Sequence, residues 1–275
     1  MHSNHSVTSG RAILNAEVRG VGPPVVFLHA AVADARMWSE QMIGVAVQGK
    51  AIAYDRRGFG KTRYVTEDYS SVADLIAVLD ALADDRRAVL VGCSQGGRVA
   101  LDAALEHPTR VSGLVLIAPN VTGAYESDKS PEISNLLAEQ AKAIENGDID
   151  TVNAIKARLW LDGPLESEGR VSGRPRDLLL DMNSIVLRAQ ATGSDLDVAQ
   201  ISPAFGRLAE IKVPALMIWG ELDFPHIKER CQVVANRMSN CAVLEIADSA
   251  HLPSLDKPND VTAAIVKFAR RAREI

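Results

Sequence analysis

The sequence predicts an α/β protein, a mostly parallel sheet flanked by helices with a helical segment inserted into it. Three observations carry this reading. Apolar, β-branched runs recur at 25–28, 51–54, 88–91, 114–117, 215–219 and 242–246, and they lack polar alternation, as strands buried on both faces do. Helix-period stripes stand between them: Val72, Leu75, Ile76, Leu79 and Leu82 before the third run, and Val99, Ala100, Ala103 and Ala104 after it. Strands that alternate with helices build a parallel sheet. The third observation is that the strand signal stops from about 121 to 208 and returns afterwards.

Within that stretch Leu178, Met182, Ile185 and Ala189 recur at helical spacing. Asp162-Gly163-Pro164 and the Gly, Ser and Pro residues of 169–175 divide it into separate helices. The expected organisation is a sheet domain in two blocks, 1–120 and 209–275, with a helical cap at 121–208. Val261, Ile265 and Phe268 mark a closing helix. The first ten residues are polar and read as a flexible tail without a secretory leader, in which His2 and His5 are inert.

The chain has 275 residues, 47% of them hydrophobic and 24% charged, so it can bury a core without disulfide or metal staples. Its net charge of −5 leaves no basic excess for phosphates, and nucleic acid is not an expected partner. No apolar run approaches the roughly 18 residues of a membrane span, so no membrane association is expected. Three cysteines, an odd number with no C-x-x-C, suit a reducing compartment, and a cytoplasmic location is expected.

One motif carries chemistry. Gly92-Cys93-Ser94-Gln95-Gly96 matches G-x-S-x-G directly between an expected strand and an expected helix, the context that makes a sharp turn display a serine. A serine hydroxyl is a weak nucleophile near neutrality and needs a base, which a carboxylate must orient. Asp223 and His251 follow the runs at 215–219 and 242–246, at strand C-termini, where open α/β sheets collect functional groups. Glu221 and Asp248 are the rival acids; His107, ahead of Pro108 at a helix end, and His226, after Pro225, are surface histidines. Gly60-Lys61-Thr62 imitates a phosphate loop, but Asp55 stands where its first glycine belongs. No metal-ligand spacing and no cofactor motif is found.

With the order Ser94, Asp223, His251, the chain resembles the α/β-hydrolase superfamily. Further motifs agree: Phe27-Leu28-His29-Ala30-Ala31 resembles the family's oxyanion loop, with Trp38 at that loop's usual tryptophan. Asp55-Arg56-Arg57-Gly58-Phe59-Gly60 resembles D-x-R-G-x-G, and His251-Leu252-Pro253 with Lys257-Pro258 resembles the terminal histidine segment. The resemblance implies an α/β-hydrolase fold, an oxyanion hole of the Ala31 and Gln95 backbone N–H groups, and a structural role for His29. Ala30 departs from the family's His-Gly and reshapes that loop.

What the resemblance implies about activity is a serine hydrolase cleaving a small ester or lactone without a cofactor. The serine disfavours haloalkane dehalogenases and epoxide hydrolases, which use aspartate there. The stretch from Ala157 to Pro164 is similar to that of small carboxylesterases and 3-oxoadipate enol-lactonases, and Trp160, Leu178 and Leu179 are candidates for an acyl pocket or for cap packing. Carbon–carbon bond hydrolases carry the same triad, usually with a tryptophan soon after the histidine, where this chain has Leu252-Pro253. Cofactor-free perhydrolases (haloperoxidases) share the triad too. A non-catalytic small-ligand receptor on the same fold is the alternative of another class, which turnover of a p-nitrophenyl ester would separate.

Overall fold

Eight strands form one sheet in the computed structural model, which describes residues 2–125, 127–190, 197 and 203–272. They are β1 (His2–Ser9), β2 (Ala12–Gly20), β3 (Pro24–Leu28), β4 (Lys50–Tyr54), β5 (Ala88–Cys93), β6 (Val111–Ile117), β7 (Ala215–Gly220) and β8 (Cys241–Ile246). The order is β1-β2-β4-β3-β5-β6-β7-β8. From β4 to β8 every pairing is parallel, while β1 and β2 run antiparallel at one edge. The six expected strands lie within these elements, but β8 is corrected from a strand buried on both faces to an edge strand with Ala242, Val243 and Glu245 exposed, because it has a neighbour on one side only.

The expectation of a flexible N-terminal tail is corrected. Residues 2–9 pair with β2 in register from His2↔Arg19 to Ser9↔Ala12. Only Val7 of β1 is buried, because an edge strand is held by its ladder and needs few apolar side chains. His2 lies 2.9 Å from Glu17 and His5 2.8 Å from the Ser3 hydroxyl. The strand β2 was passed over, although its alternate residues Ala12, Leu14, Ala16 and Val18 are all buried, the period-two signal of a strand with one face inward.

Helices cover both faces. On one side lie α2 (Ser71–Leu82), α3 (Gln95–Glu106) and α7 (Pro225–Arg237), with Leu75, Leu79, Val99, Ile227 and Val234 in the core. On the other lie α1 (Ser39–Ala46) and α9 (Pro258–Arg271), contributing Met42, Val45, Val261 and Ile265. Burying each such side chain contributes about 1.5–3 kcal/mol before conformational entropy is charged against it. Start signals are chemical: the Ser70 hydroxyl accepts from Ala73 N–H at 3.2 Å at the head of α2. His107 closes α3, its N–H bonded to the Ala103 carbonyl at 2.8 Å.

Between β6 and β7 the described residues hold helices and an isolated bridge at Asp197. The helices are α4 (Pro131–Glu145), α5 (Ile149–Ala157), a π-helical turn (Arg158–Asp162), α6 (Arg174–Gln190) and a 3₁₀ turn (Ala204–Glu210). The buried line of α6 differs from the expected stripe. It runs through Leu179, Met182, Asn183 and Val186, because Asn183 is accommodated inside by a 2.7 Å bond to the Asn153 side-chain oxygen. No helix among the described residues is long and apolar enough to cross a membrane.

One buried carboxylate on α3 is poorly served. Asp102 Oδ1 is buried without a hydrogen-bond partner, and burial pushes its carboxyl up to about 6. The folded state therefore holds this proton more tightly than the unfolded chain, so the contribution to stability is present at low pH and lost as pH rises through about 6. Asp102→Asn removes that loss. Chemical denaturation should find the variant equal to the parent near pH 4 and more stable at pH 7.5 by on the order of 1 kcal/mol, after allowance for solvent screening. A variant less stable at pH 7.5 would contradict the assignment.

Candidate active site

The turn after β5 is built by the absence of side chains. A Cβ on Gly92 would stand 2.4 Å from the Gly96 carbonyl oxygen, and one on Gly96 would stand 2.2 Å from the Leu28 oxygen. With neither present, the head of α3 seats directly on the backbone leaving β3. Ser94 lies between the two glycines at φ 52, ψ −114, a left-handed strain that a non-glycine residue holds only where the surroundings over-determine it. Its N–H donates to the Ile117 carbonyl at 2.9 Å, and its carbonyl accepts from Arg98 and Asn120 N–H at 3.2 and 3.0 Å.

Seating α3 on that backbone also brings two loops together. Gln95 N–H opens the helix, where backbone donors have no intrahelical acceptor and the helix dipole is positive, and Ala31 comes two residues after the Leu28–His29 backbone against which Gly96 packs. His29 is fully buried; its Nε2 accepts from Arg56 N–H at 3.0 Å. Nδ1 therefore carries the proton and donates to the Ala30 carbonyl at 2.8 Å. Burial, and then the neighbouring Arg56 cation, hold this imidazole well below the usual histidine range, so it is a neutral strut of the loop. Trp38 packs in the core, its ring 5.3 Å from Phe27.

Asp223 and His251 meet because β7 and β8 are neighbours in register, Gly220 opposite Ile246. Three residues beyond β7 and five beyond β8, the Asp223 Oδ2 accepts from His251 Nδ1 at 2.8 Å. The other carboxylate oxygen accepts from Phe224 N–H at 2.7 Å. Both side chains are buried, and His251 Nε2 has no partner among the described residues. The loop of His251 runs against the serine turn, since Cys93 Sγ lies 3.8 Å from the His251 carbonyl oxygen. Cys93 is buried in the core, and burial pushes its thiol far above the ordinary range.

The rival acids stand elsewhere. Asp248 is exposed and pairs with Lys257 at 2.7 Å, while Glu221 accepts from the Asp248 N–H at 2.9 Å. His226, expected at the surface, is buried with its ring 5.3 Å from Phe224, because it lies on the face of α7 that also buries Ile227, Arg230 and Val234. Of the three pocket candidates, Trp160 lies at the site, its ring 4.6 Å from His251 and 4.9 Å from Phe224. Leu179 is buried in the core. Leu178 lines a different cavity of about 230 Å³, together with Arg36, Glu40, Arg174 and Ser254; one residue apart on a helix, Leu178 and Leu179 point about 100° away from each other. The sequence reading missed Phe224, which nothing but its place after Asp223 marks out.

Residues 25–265 match the model of the alpha/beta hydrolase family. The pimeloyl-[acyl-carrier protein] methyl ester esterase of Nitrosospira multiformis is 26% identical over 95% of this chain and 100% of its own. The 2-hydroxy-6-oxo-6-phenylhexa-2,4-dienoate hydrolase of Burkholderia cepacia is 30% identical over 79% of this chain and 77% of its own. Among solved structures, a thermophilic esterase from Thermogutta terrifontis superposes with a TM-score of 0.76 at 22% identity, covering 99% of both chains.

Gly96→Ala drives a methyl group into the Leu28 carbonyl, and overpacking of this kind costs about 1–3 kcal/mol. The urea midpoint should fall accordingly at unchanged slope. Gly206→Ala, with nothing within 4 Å of the new Cβ, is the control and should leave the midpoint in place. Equal midpoints for the two variants would mean that α3 is not seated on Leu28.

Proposed function

Since the chain belongs to the alpha/beta hydrolase family, we propose that it is a serine hydrolase that cleaves a small carboxylic ester or lactone through an acyl-enzyme. The observation that carries this reading is the buried Asp223–His251 pair at 2.8 Å, with Nε2 left unpartnered beside the strained turn of Ser94. The relative from Nitrosospira, named as a methyl ester esterase and aligned over its full length, supports ester chemistry.

The proposed steps follow from the geometry. Ser94 Oγ attacks the substrate carbonyl carbon while His251 Nε2 takes its proton. Asp223 stabilises the imidazolium and holds the tautomer. The carbonyl electron pair moves onto oxygen, which accepts hydrogen bonds from the Ala31 and Gln95 N–H groups; each such donor is worth about 2.7–4 kcal/mol. The intermediate collapses, the leaving alkoxide takes the proton from His251, and Ser94 keeps the acyl group. Water, deprotonated by His251, then releases the acid and restores the serine. The helices described within 121–208 act as a cap on this site, part of that range lying outside the described residues, and Trp160 shields the imidazole from bulk water.

A second reading has one observation behind it. The substrate named for the Burkholderia cepacia relative contains no ester, so its hydrolysis breaks a carbon–carbon bond, and that relative is 30% identical. A panel of short esters, lactones and vinylogous keto acids separates the two readings by which member turns over.

Two tests address the residues. A fluorophosphonate should add its mass to Ser94 alone, and Ser94→Ala should abolish both labelling and p-nitrophenyl ester turnover; label on Cys93 or on no residue would sink the assignment. Asp223→Asn should lower kcat by a factor on the order of 10⁴ with the fold intact. Asp248→Asn should be far milder, and a reversal of the two effects would show that the acid is Asp248.

A further inference from the structure

Residues 158–170 lie over the two loops that carry Asp223 and His251 and touch them at three points. The first is the Trp160 ring, 4.6 Å from His251 and 4.9 Å from Phe224. The second is Gly163 at φ +111, where a Cβ would stand 2.9 Å from the Leu222 carbonyl oxygen. The turn thus runs along the backbone next to Asp223, and only glycine fits there.

Arg170 makes the third contact, and every nitrogen of its guanidinium is used. Nε donates to the Asp162 carbonyl at 2.6 Å, and Nη2 donates to the Leu161 carbonyl at 2.9 Å and to Asp256 Oδ2 at 2.7 Å. Nη1 donates to the Asp248 carbonyl at 3.1 Å, with Asp248 Oδ1 at 3.5 Å. Two of these acceptors belong to the π-helical turn. The others flank His251 on the core, Asp248 three residues before it and Asp256 five after.

The turn is a firm base for this fork. Asp162, wholly buried, accepts from Gly169 N–H at 2.8 Å, from Val171 N–H at 3.0 Å and from Arg176 at 2.7 Å. Asp248 keeps two further ties of its own, to Lys257 and to Glu221. The loop therefore stays anchored without Arg170, and what Arg170 adds is its coupling to the segment that bears Trp160. A planar head with five donors in fixed directions can join four acceptors in this way, whereas an ammonium cannot.

We infer that Arg170 is a positioning residue: by bracing the Asp248 backbone before His251 and the Asp256 carboxylate after it against the turn that carries Trp160, it sets the plane of the imidazole ring and the aim of Nε2 toward Ser94. The inference rests on the proposed roles of Ser94, Asp223 and His251. A misplacement on the order of 1 Å at a reacting group costs about a hundredfold in rate.

The test compares wild type, Arg170→Lys, Arg170→Ala and Asp256→Asn in the full chain. The readouts are p-nitrophenyl acetate kinetics, the rate of fluorophosphonate labelling at Ser94, and Tm. For Arg170→Ala, kcat should fall about ten- to a hundredfold, with the labelling rate reduced by the same factor and KM changed less than threefold, the signature of an interaction that matters in the transition state. Arg170→Lys should recover little of this, and Asp256→Asn should lose severalfold in the same direction. A lowered Tm with kcat and labelling within twofold of wild type would make Arg170 a structural tie only and overturn the inference, as would a loss confined to KM. Should Arg170→Ala fail to fold, Asp256→Asn decides: an unchanged kcat overturns the inference. Failure of the underlying reading looks different, since the wild type itself would then not be labelled at Ser94.

Discussion

The seating of α3 on bare backbone is the contact on which the site depends. At Gly92 and Gly96 a Cβ would overlap carbonyl atoms at 2.4 and 2.2 Å, so only hydrogen at both positions lets the helix start this close to β3 and β5. From that proximity follow the left-handed Ser94 and the packing of the head of α3 against the Leu28–His29 backbone. The strain at Ser94 persists because three backbone hydrogen bonds hold it, through Ile117, Arg98 and Asn120, and because the flanking core is closely packed on both faces of the sheet.

Parallel register does for Asp223 and His251 what close packing does for Ser94. Strands β5, β6, β7 and β8 pair in step from Cys93↔Ile117 to Gly220↔Ile246, so their C-terminal ends lie along one line and the loops that leave them share one side. Residues separated by 129 positions between Ser94 and Asp223 need no long-range device other than that line. Trp160, Gly163 and Arg170 of the inserted segment meet the two loops directly.

Charge is used for anchoring as much as for chemistry. Asp55 accepts from Asn15 Nδ2 at 2.8 Å and from the Ala35 and Lys61 N–H groups at 2.9 Å each. Burial nevertheless leaves its carboxyl above the ordinary range. Arg57 grips Asp74 with two bonds of 2.9 and 3.0 Å inside the protein and reaches the Ser9 carbonyl at 2.9 Å. These two residues of one loop therefore hold the antiparallel edge of the sheet in place, a task that their motif does not announce.

The sequence by itself determined the elements with a local or spacing signal. Five of the strands are legible because burial on both faces demands unbroken apolar runs, whereas β8 shows its run at an exposed sheet edge; Ser94, Asp223 and His251 are legible because the glycines of a tight turn and the ends of strands are chemically marked. Tertiary structure decided the rest, wherever the cause lies far along the chain. Strand β1 forms from polar residues because β2 offers it a ladder and Arg57, 48 positions away, binds Ser9. Leu178 and Leu179 divide between a surface cavity and the core because the buried line of α6 passes through Asn183, whose Nδ2 donates to Asn153. Arg170 joins Leu161 and Asp162 to Asp248 and Asp256, which lie 78 and 86 positions beyond Arg170 in the sequence. A guanidinium carries no trace in its sequence of which carbonyls it will meet, since hydrogen-bond geometry exists only once the partners have been brought together.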